Sequence, residues 1–329
     1  MSSGFKFLDN GNVVDFSDIY VERLDLLGGE KGGLYSCGYN LYGQLGDGTI
    51  VNKSSPVQIG TLTNWKSVAS GAYHTMALKT DGTLWSWGYN GEGQLGDGTR
   101  TYRSSPVQVG TLTNWKFIAG GNFYTMAIKT DGTLWSWGQN VVGQLGDGTT
   151  SYKSSPAQVG SLSTWNTVAS AAYHALAIKT DGTLWSWGDN DYSQLGSGTN
   201  IRRSSPVQVG TLTNWKAVAG GTYHTAALKT DGTLWAWGYN GYGQLGDGTV
   251  VDKSSPVQIG TLTNWKAVAS KGDHTMAIKT DGTLWSWGRN DQGQLGDGTT
   301  TYRSSPVQVG TLTNWKFIAG GLSHTVALK

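Results

Sequence analysis

Five histidines recur at multiples of one step, His74, His174, His224, His274 and His324, with Tyr124 in the slot between the first two. Imidazoles gathered on one centre are the commonest protein ligands for transition metals. Here a 50-residue step holds them apart, and most have no Asp or Cys beside them. They read as histidines bonded to a neighbouring backbone group, and no metal is assigned. Gly91-Glu92-Gly93-Gln94-Leu95-Gly96 is a literal G-x-G-x-x-G, repeated at 241–246. A dinucleotide site needs a helix directly afterwards, with its N-terminus on the pyrophosphate. Asp97-Gly98-Thr99 and a proline-opened strand follow instead. Asp47 and its equivalents lie in Gly-Asp-Gly turns, where a carboxylate bonds its own backbone. A calcium loop needs further acids at alternating positions, which the turns lack. Cys37 is the only cysteine, in a slot that five other units fill with tryptophan, and no nucleophile's partner surrounds it. Asn52-Lys53-Ser54 fits a glycosylation sequon without a secretory context. No constellation occurs once, in one place, as an active site would. The chain is read as a non-enzymatic protein without metal or cofactor.

The elements that position these residues are set by composition and period. The 329 residues include 50 glycines and 16 tryptophans, with 37% hydrophobic and only 14% charged residues, so there is ample material for a core. The net charge of +2 gives no argument for nucleic acid, and no apolar run reaches the 18 residues of a membrane span. The start, MSSGFKFLDNGNVVDF, lacks the basic-then-apolar order of a Sec-type signal peptide. Gln-Leu-Gly-Asp begins at Gln44, Gln94, Gln144, Gln244 and Gln294, with Gln-Leu-Gly-Ser at Gln194, and all six prolines keep the same 50-residue step. A period of this size means a solenoid, a propeller or an array. Within residues 65–114, four short segments have strand character. They start at Trp65, His74, Leu84 and Pro106, and Thr80-Asp81-Gly82-Thr83 forms a hairpin turn between the second and third. We label them a, b, c and d. Four short antiparallel strands per unit make the blade of an all-β propeller.

The pattern HTMALKTDGTLWSWGYNGEGQLGDGT resembles the repeat of the regulator of chromosome condensation family of propellers, and recurs six times over residues 31–329. Members of that family are typically seven-bladed. Residues 31–329 hold six 50-residue units less one residue, cut inside the b–c turn. The expectation is therefore a closed β-propeller of six blades of four antiparallel strands, with seven as the alternative. The closing blade is shared, its inner strands from the C-terminal segment and its third from Leu34–Cys37. Residues 1–30 form an acidic arm, in which Phe5–Leu8, the turn at 9–12 and Val13–Phe16 read as a hairpin; the arm either folds back over the basic end or anchors the propeller to a larger assembly. A plant ultraviolet-B photoreceptor resembling this family senses light with clustered tryptophans, and its motif sets one just before the histidine-threonine pair. Those slots here read GAYHT, GNFYT, AAYHA, GTYHT, KGDHT and GLSHT, so the tryptophans are assigned to core packing.

Comparing the six units with one another picks out a face. The b–c turns and d–a loops are nearly constant, whereas the a–b and c–d loops vary, and antiparallel order puts those two sets at one end. They are rich in tyrosine, which suits a partner-binding surface. The residues assigned to it are Tyr39, Tyr42, Tyr73, Tyr89, Phe123, Tyr173, Tyr192, Tyr223, Tyr239, Tyr242, Asp273 and Arg289. The constant end is read as basic, net +7, from Lys31, the Lys79 series, and Lys66, Lys116, Lys216, Lys266 and Lys316 against the Asp81 series. The leading reading is a rigid platform whose variable face takes a protein or glycan ligand. Near-identical repeats after a short arm are similar to propellers encoded by marine bacteriophages. That resemblance implies a virion-associated structural protein or adhesin, in a virion or the cytoplasm of a bacterial host. The competing readings are an inhibitor similar to the bacterial propeller that inhibits β-lactamases, and a polyanion or chromatin-type binder on the basic end. The family's exchange role on a small GTPase has no inserted wedge here to support it, since nothing interrupts the 50-residue rhythm.

Overall fold

Strands Trp65–Ser70, His74–Lys79, Leu84–Gly88 and Arg103–Gln108 pair antiparallel, in that order, in one four-stranded sheet. Burial falls from the inside outwards. Every residue of strand b is buried, whereas strand d is half-exposed. A strand covered on both faces has no polar side to show, which is why His74-Thr75-Met76-Ala77-Leu78 lacks alternation. Strand d begins three residues earlier than the sequence suggests, and Pro106 falls within it. This is tolerated because strand d is the outer edge, where a missing N–H breaks no ladder. Four further sheets repeat the arrangement over residues 115–158, 165–208, 215–258 and 265–308.

The computed structural model of this protein describes residues 4–9, 12–15 and 33–329. It divides into two units, Met1–Val141 with Thr149–Ser163, and Val142–Gly148 with Thr164–Lys329. The architecture is all-β, built of four-stranded antiparallel propeller blades, as the repeat implies. Among the described residues, six sheets have four strands and one has two. No helix there is long and apolar enough to cross a membrane.

The sheet nearest the N-terminus is built differently from its sisters. Tyr35–Gly38 and Lys53–Gln58 supply its c and d strands, and Gly4–Asp9 and Asn12–Asp15 complete it as an antiparallel hairpin. Gly4, Phe5 and Lys6 lie opposite Cys37, Ser36 and Tyr35. The C-terminal strands Phe317–Gly320 and Thr325–Leu328, expected on that edge, pair with each other as the two-stranded sheet. A strand edge is read through its backbone hydrogen bonds, so an extended segment of either origin meets its requirement. The turn at residues 9–12 falls partly outside the described residues, as do residues 16–30 of the arm.

Within each unit, successive blades are hooked together by the Gln-Leu-Gly turn. The Gln94 carbonyl accepts Thr125 Oγ1–H at 2.8 Å and Trp137 Nε1–H at 2.9 Å, so two donors of the next blade share one oxygen. Trp187 and Trp237 reach the Gln144 and Gln194 carbonyls at 3.0 and 2.9 Å. Gly96 makes this approach feasible. It lies at φ +73°, and a Cβ there would fall 2.6 Å from Trp137 Nε1. Gly110 has a similar φ of +62° with nothing within 4 Å of its virtual Cβ. Alanine at either site meets the same left-handed penalty, about 1–2 kcal/mol, but only Gly96→Ala also drives a methyl into an indole, adding about 1–3 kcal/mol. Urea unfolding of the two variants should therefore show Gly96→Ala to be the more destabilised by that increment. Equal losses would mean that the indole does not pack on the turn.

Candidate binding face

The c–d loops are held from inside. Asn90, fully buried, accepts Leu95 N–H at 2.9 Å and donates from Nδ2 to the carbonyls of Thr99 and Thr101 at 3.1 Å. An asparagine stands in that slot in all six repeats, at 40, 90, 140, 190, 240 and 290, between neighbours that vary. Side chains at 89, 91 and 92 thus change on a backbone that does not. The a–b loop is tied to the same scaffold, because Tyr89 N–H donates to the Tyr73 carbonyl at 2.9 Å.

In the first unit this brings six rings together. Tyr42 lies 5.3 Å from Tyr73, 5.1 Å from Tyr89 and 5.7 Å from Tyr102, centroid to centroid. Tyr39 adjoins Tyr42 and Tyr73, while Phe123 adjoins Tyr73 and Tyr89. Most pairs are tilted or edge-to-face, the geometry that the ring quadrupole favours. In the second unit, Tyr192 contacts Tyr223 and Tyr239 at 4.9 and 5.0 Å, and Tyr242 contacts Tyr239 and Tyr302 at 5.8 and 5.4 Å. Arg289 stands 5.5 Å over Tyr242 and is paired to Asp291 through two 2.8 Å hydrogen bonds. Asp273 lies 3.5 Å from Arg289, and Tyr173 is close enough to Tyr223 to act on its hydroxyl electrostatically. Burial, followed by the hydrogen bond and field of Tyr102, pushes the Tyr89 hydroxyl up to about 12. Burial raises the Asp273 and Asp189 carboxyls despite the nearby Arg289 and Arg202. The rings are half-buried or, at Tyr102, Tyr192 and Tyr302, exposed.

Tyr102, Tyr302, Arg202 and Asp189 belong to this face but were missing from the sequence selection. Three of them lie in the slots just before strand d, which read Arg-Thr-Tyr, Thr-Ser-Tyr, Asn-Ile-Arg, Val-Val-Asp and Thr-Thr-Tyr from 100 onwards. That variation was the available signal.

At the other end of strand a, Lys66, Lys116, Lys216, Lys266 and Lys316 are exposed. The Lys79 series is not. Lys79, Lys129, Lys179, Lys229 and Lys279 are buried, each ammonium 3.5–3.6 Å from the ring centroid of the first c-strand tryptophan and 5.0–5.1 Å from that of the strand-a tryptophan. Burial lowers their pKa, with the adjoining aspartate opposing. The basic end is therefore weaker than the +7 expected, because five of its charges lie between indoles rather than facing solvent. Trp87 and its equivalents are fully buried, matching the core-packing assignment.

The histidines bond to a side chain of the next blade, and His274 also takes a backbone hydrogen bond of the expected kind, with His324. His74 Nε2 lies 2.9 Å from Thr125 Oγ1, with the same pairing for His224–Thr275 and His274–Thr325 at 2.9 and 3.0 Å. The Thr125 hydroxyl has one proton and gives it to the Gln94 carbonyl. It must accept from His74, which assigns the proton to Nε2 of a neutral ring. The nitrogen facing the next blade is thus spent on a structural bond.

Comparison with known proteins bears on the whole chain. The family model "Regulator of chromosome condensation (RCC1) repeat" matches residues 31–78, 81–128, 131–178, 181–228, 231–278 and 281–328. A second model of the same description matches five shorter segments from 65 to 294. A search of curated protein sequences gives no match. Among solved structures, yeast RCC1 (Prp20) bound to Kap60 aligns with a TM-score of 0.81 at 19% identity, over 99% of this chain and 78% of that one. Human WBSCR16 aligns with a TM-score of 0.81 at 20% identity, over 99% and 98%. Prp20p of Saccharomyces cerevisiae, a protein that binds Gsp1p and histones, aligns with a TM-score of 0.67 at 20% identity, over 90% of each chain. At these identities the likeness is one of fold.

The buried imidazoles give a test by pH. Burial depresses His174 and His224 to about 3 and His274 to about 4, from 6.5 in the unfolded chain. The unfolded state then binds protons that the folded state refuses, so stability is complete above about pH 6.5 and falls as pH drops towards 4. Each histidine should cost about 2 kcal/mol between pH 7 and pH 5. Unfolding free energies in urea should record that slope before the hydrogen-bonded aspartates begin to titrate. A flat profile from pH 7 to 5 would show that the rings are not buried neutral.

Proposed function

Because the chain belongs to the regulator of chromosome condensation (RCC1) repeat family, we propose that it is a non-enzymatic platform whose aromatic a–b and c–d loop face takes a protein partner. One observation carries the reading: the residues that differ between otherwise near-identical repeats converge into the Tyr42-centred cluster and its counterpart around Tyr239. Rings of this kind offer large contact area at low entropic cost, with a hydroxyl for orientation. The relatives support the partner class, since Prp20 is found with Kap60 and binds Gsp1p and histones. Its finer form is an adhesin on a bacteriophage virion. Mass spectrometry of purified particles tests that form, and absence of the chain from them rejects it.

The face itself is tested by a photo-crosslinking amino acid placed singly at Tyr73, Tyr242, Lys66 or Lys216 in producing cells. Adducts are expected from the two tyrosine positions and not from the two lysines. Alanine at Tyr73, Phe123, Tyr223 and Tyr242 should then abolish the adducts while leaving thermal unfolding in place. A central ring is worth about 2 kcal/mol, roughly thirtyfold in Kd. Adducts confined to Lys66 and Lys216 and lost at high salt would transfer the function to the basic end.

A further inference from the structure

Ser197 stands where the other five Gly-x-Gly turns of this position carry aspartate. The sister repeats show what that slot is built to hold. Asp97 Oδ1 accepts Thr99 N–H at 2.9 Å, Thr99 Oγ1–H at 2.7 Å and Asn90 Nδ2–H at 3.2 Å, while Oδ2 accepts Arg103 Nε–H at 2.8 Å. Asp297 is held in the same way by Thr299, Asn290 and Arg303. Lys53 and Lys253 take the arginine's place beside Asp47 and Asp247, each at 3.2 Å. In the Ser197 repeat every donor is kept, as Asn190, Thr199 and Arg203, and only the carboxylate is missing.

The local structure registers the loss. Arg203 Nε is buried and has no hydrogen-bond partner among the described residues. Ser197 Oγ has turned to Thr199 Oγ1, 3.0 Å away. The nearby carboxylates do not substitute, since Asp189 and Asp191 are both held by Arg202. A guanidinium nitrogen shielded from water without an acceptor is costly, and an anion offsets that cost more fully than a neutral acceptor does.

We infer that the Ser197 turn and Arg203 form a binding site for a small inorganic anion of halide size. Serine places its Oγ where aspartate has Cγ, so the space set free is that of two carboxylate oxygens, which a single halide matches. Arg203 supplies the charge, and the Thr199 N–H and Ser197 hydroxyl complete the donor set, the Asn190 amide being held by the Thr199 and Ile201 carbonyls. Ser197 is half-buried and Thr199 exposed, so the ion exchanges with solvent.

Chloride is the probe. The chlorine-35 resonance of sodium chloride should broaden with the full chain, and the excess should be lost in Ser197→Asp, which supplies its own carboxylate, and in Arg203→Gln. Exchanging sodium glutamate for sodium chloride at constant ionic strength should raise the unfolding temperature of the parent chain and leave that of Ser197→Asp unchanged. If Arg203→Gln fails to fold, Ser197→Asp decides alone, since it restores the arrangement of the sister repeats. Equal broadening and equal chloride response in the parent chain and Ser197→Asp would overturn the site. So would a bromide-soaked crystal without anomalous density between Ser197 and Arg203.

Discussion

The structure depends on a glutamine carbonyl oxygen that reaches the next blade, with two donors on it at Gln94 and Gln194 and a threonine or tryptophan donor at Gln44, Gln144, Gln244 and Gln294. Where the Gln94 oxygen meets Trp137 Nε1 and Thr125 Oγ1, a turn of one blade is fixed to two strands of its successor. That bond set needs glycine at 96, a fully buried tryptophan at 137 and a threonine that hands its only proton forward, which in turn sets the tautomer of His74. These residues lie at fixed offsets, so inserting one residue into the core of a repeat would break several contacts together. The constancy of the 50-residue step follows from that coupling.

The same hook explains how loops can vary without loss of order. Its turn closes the c–d loop, and Asn90 pins the loop's interior, so residues 89, 91 and 92 change at little cost to stability. The variable tips of neighbouring blades then fall within ring-contact distance, as Tyr42, Tyr73 and Phe123 do in the first unit. A stiff frame with adjustable aromatic tips is what a recognition surface needs, because little conformational entropy remains to be lost on binding. The proposed binding face is in this sense a by-product of how the blades are locked.

Much of this was legible in the sequence. The strands follow from short apolar segments between glycine turns, and the variable end follows from antiparallel order alone. What stayed hidden depends on contacts between strands far apart in the chain. Lys79 reads as a surface charge until strands a, b and c are paired and its ammonium is found between Trp65 and Trp85. His74 finds its acceptor 51 residues on, at Thr125, a distance no local pattern encodes. The strand on the inner edge of Tyr35–Gly38 could not be named either, because strand pairing is a backbone property that Gly4–Lys6 satisfies as well as a repeat strand does. Tyr102 and Tyr302 are readable in principle, because they lie in the variable c–d loops, in the slots just before strand d.

The hook is tested most directly by a double-mutant cycle across one interface, combining Gly196→Ala with Trp237→Leu and measuring unfolding free energies in urea. A Cβ at 196 would lie 2.6 Å from Trp237 Nε1. If that approach locks the blades, alanine should be much less harmful once the indole is gone, giving a coupling of about 1 kcal/mol or more. Losses that add to within about 0.5 kcal/mol would show that turn and tryptophan act independently, and would contradict the account.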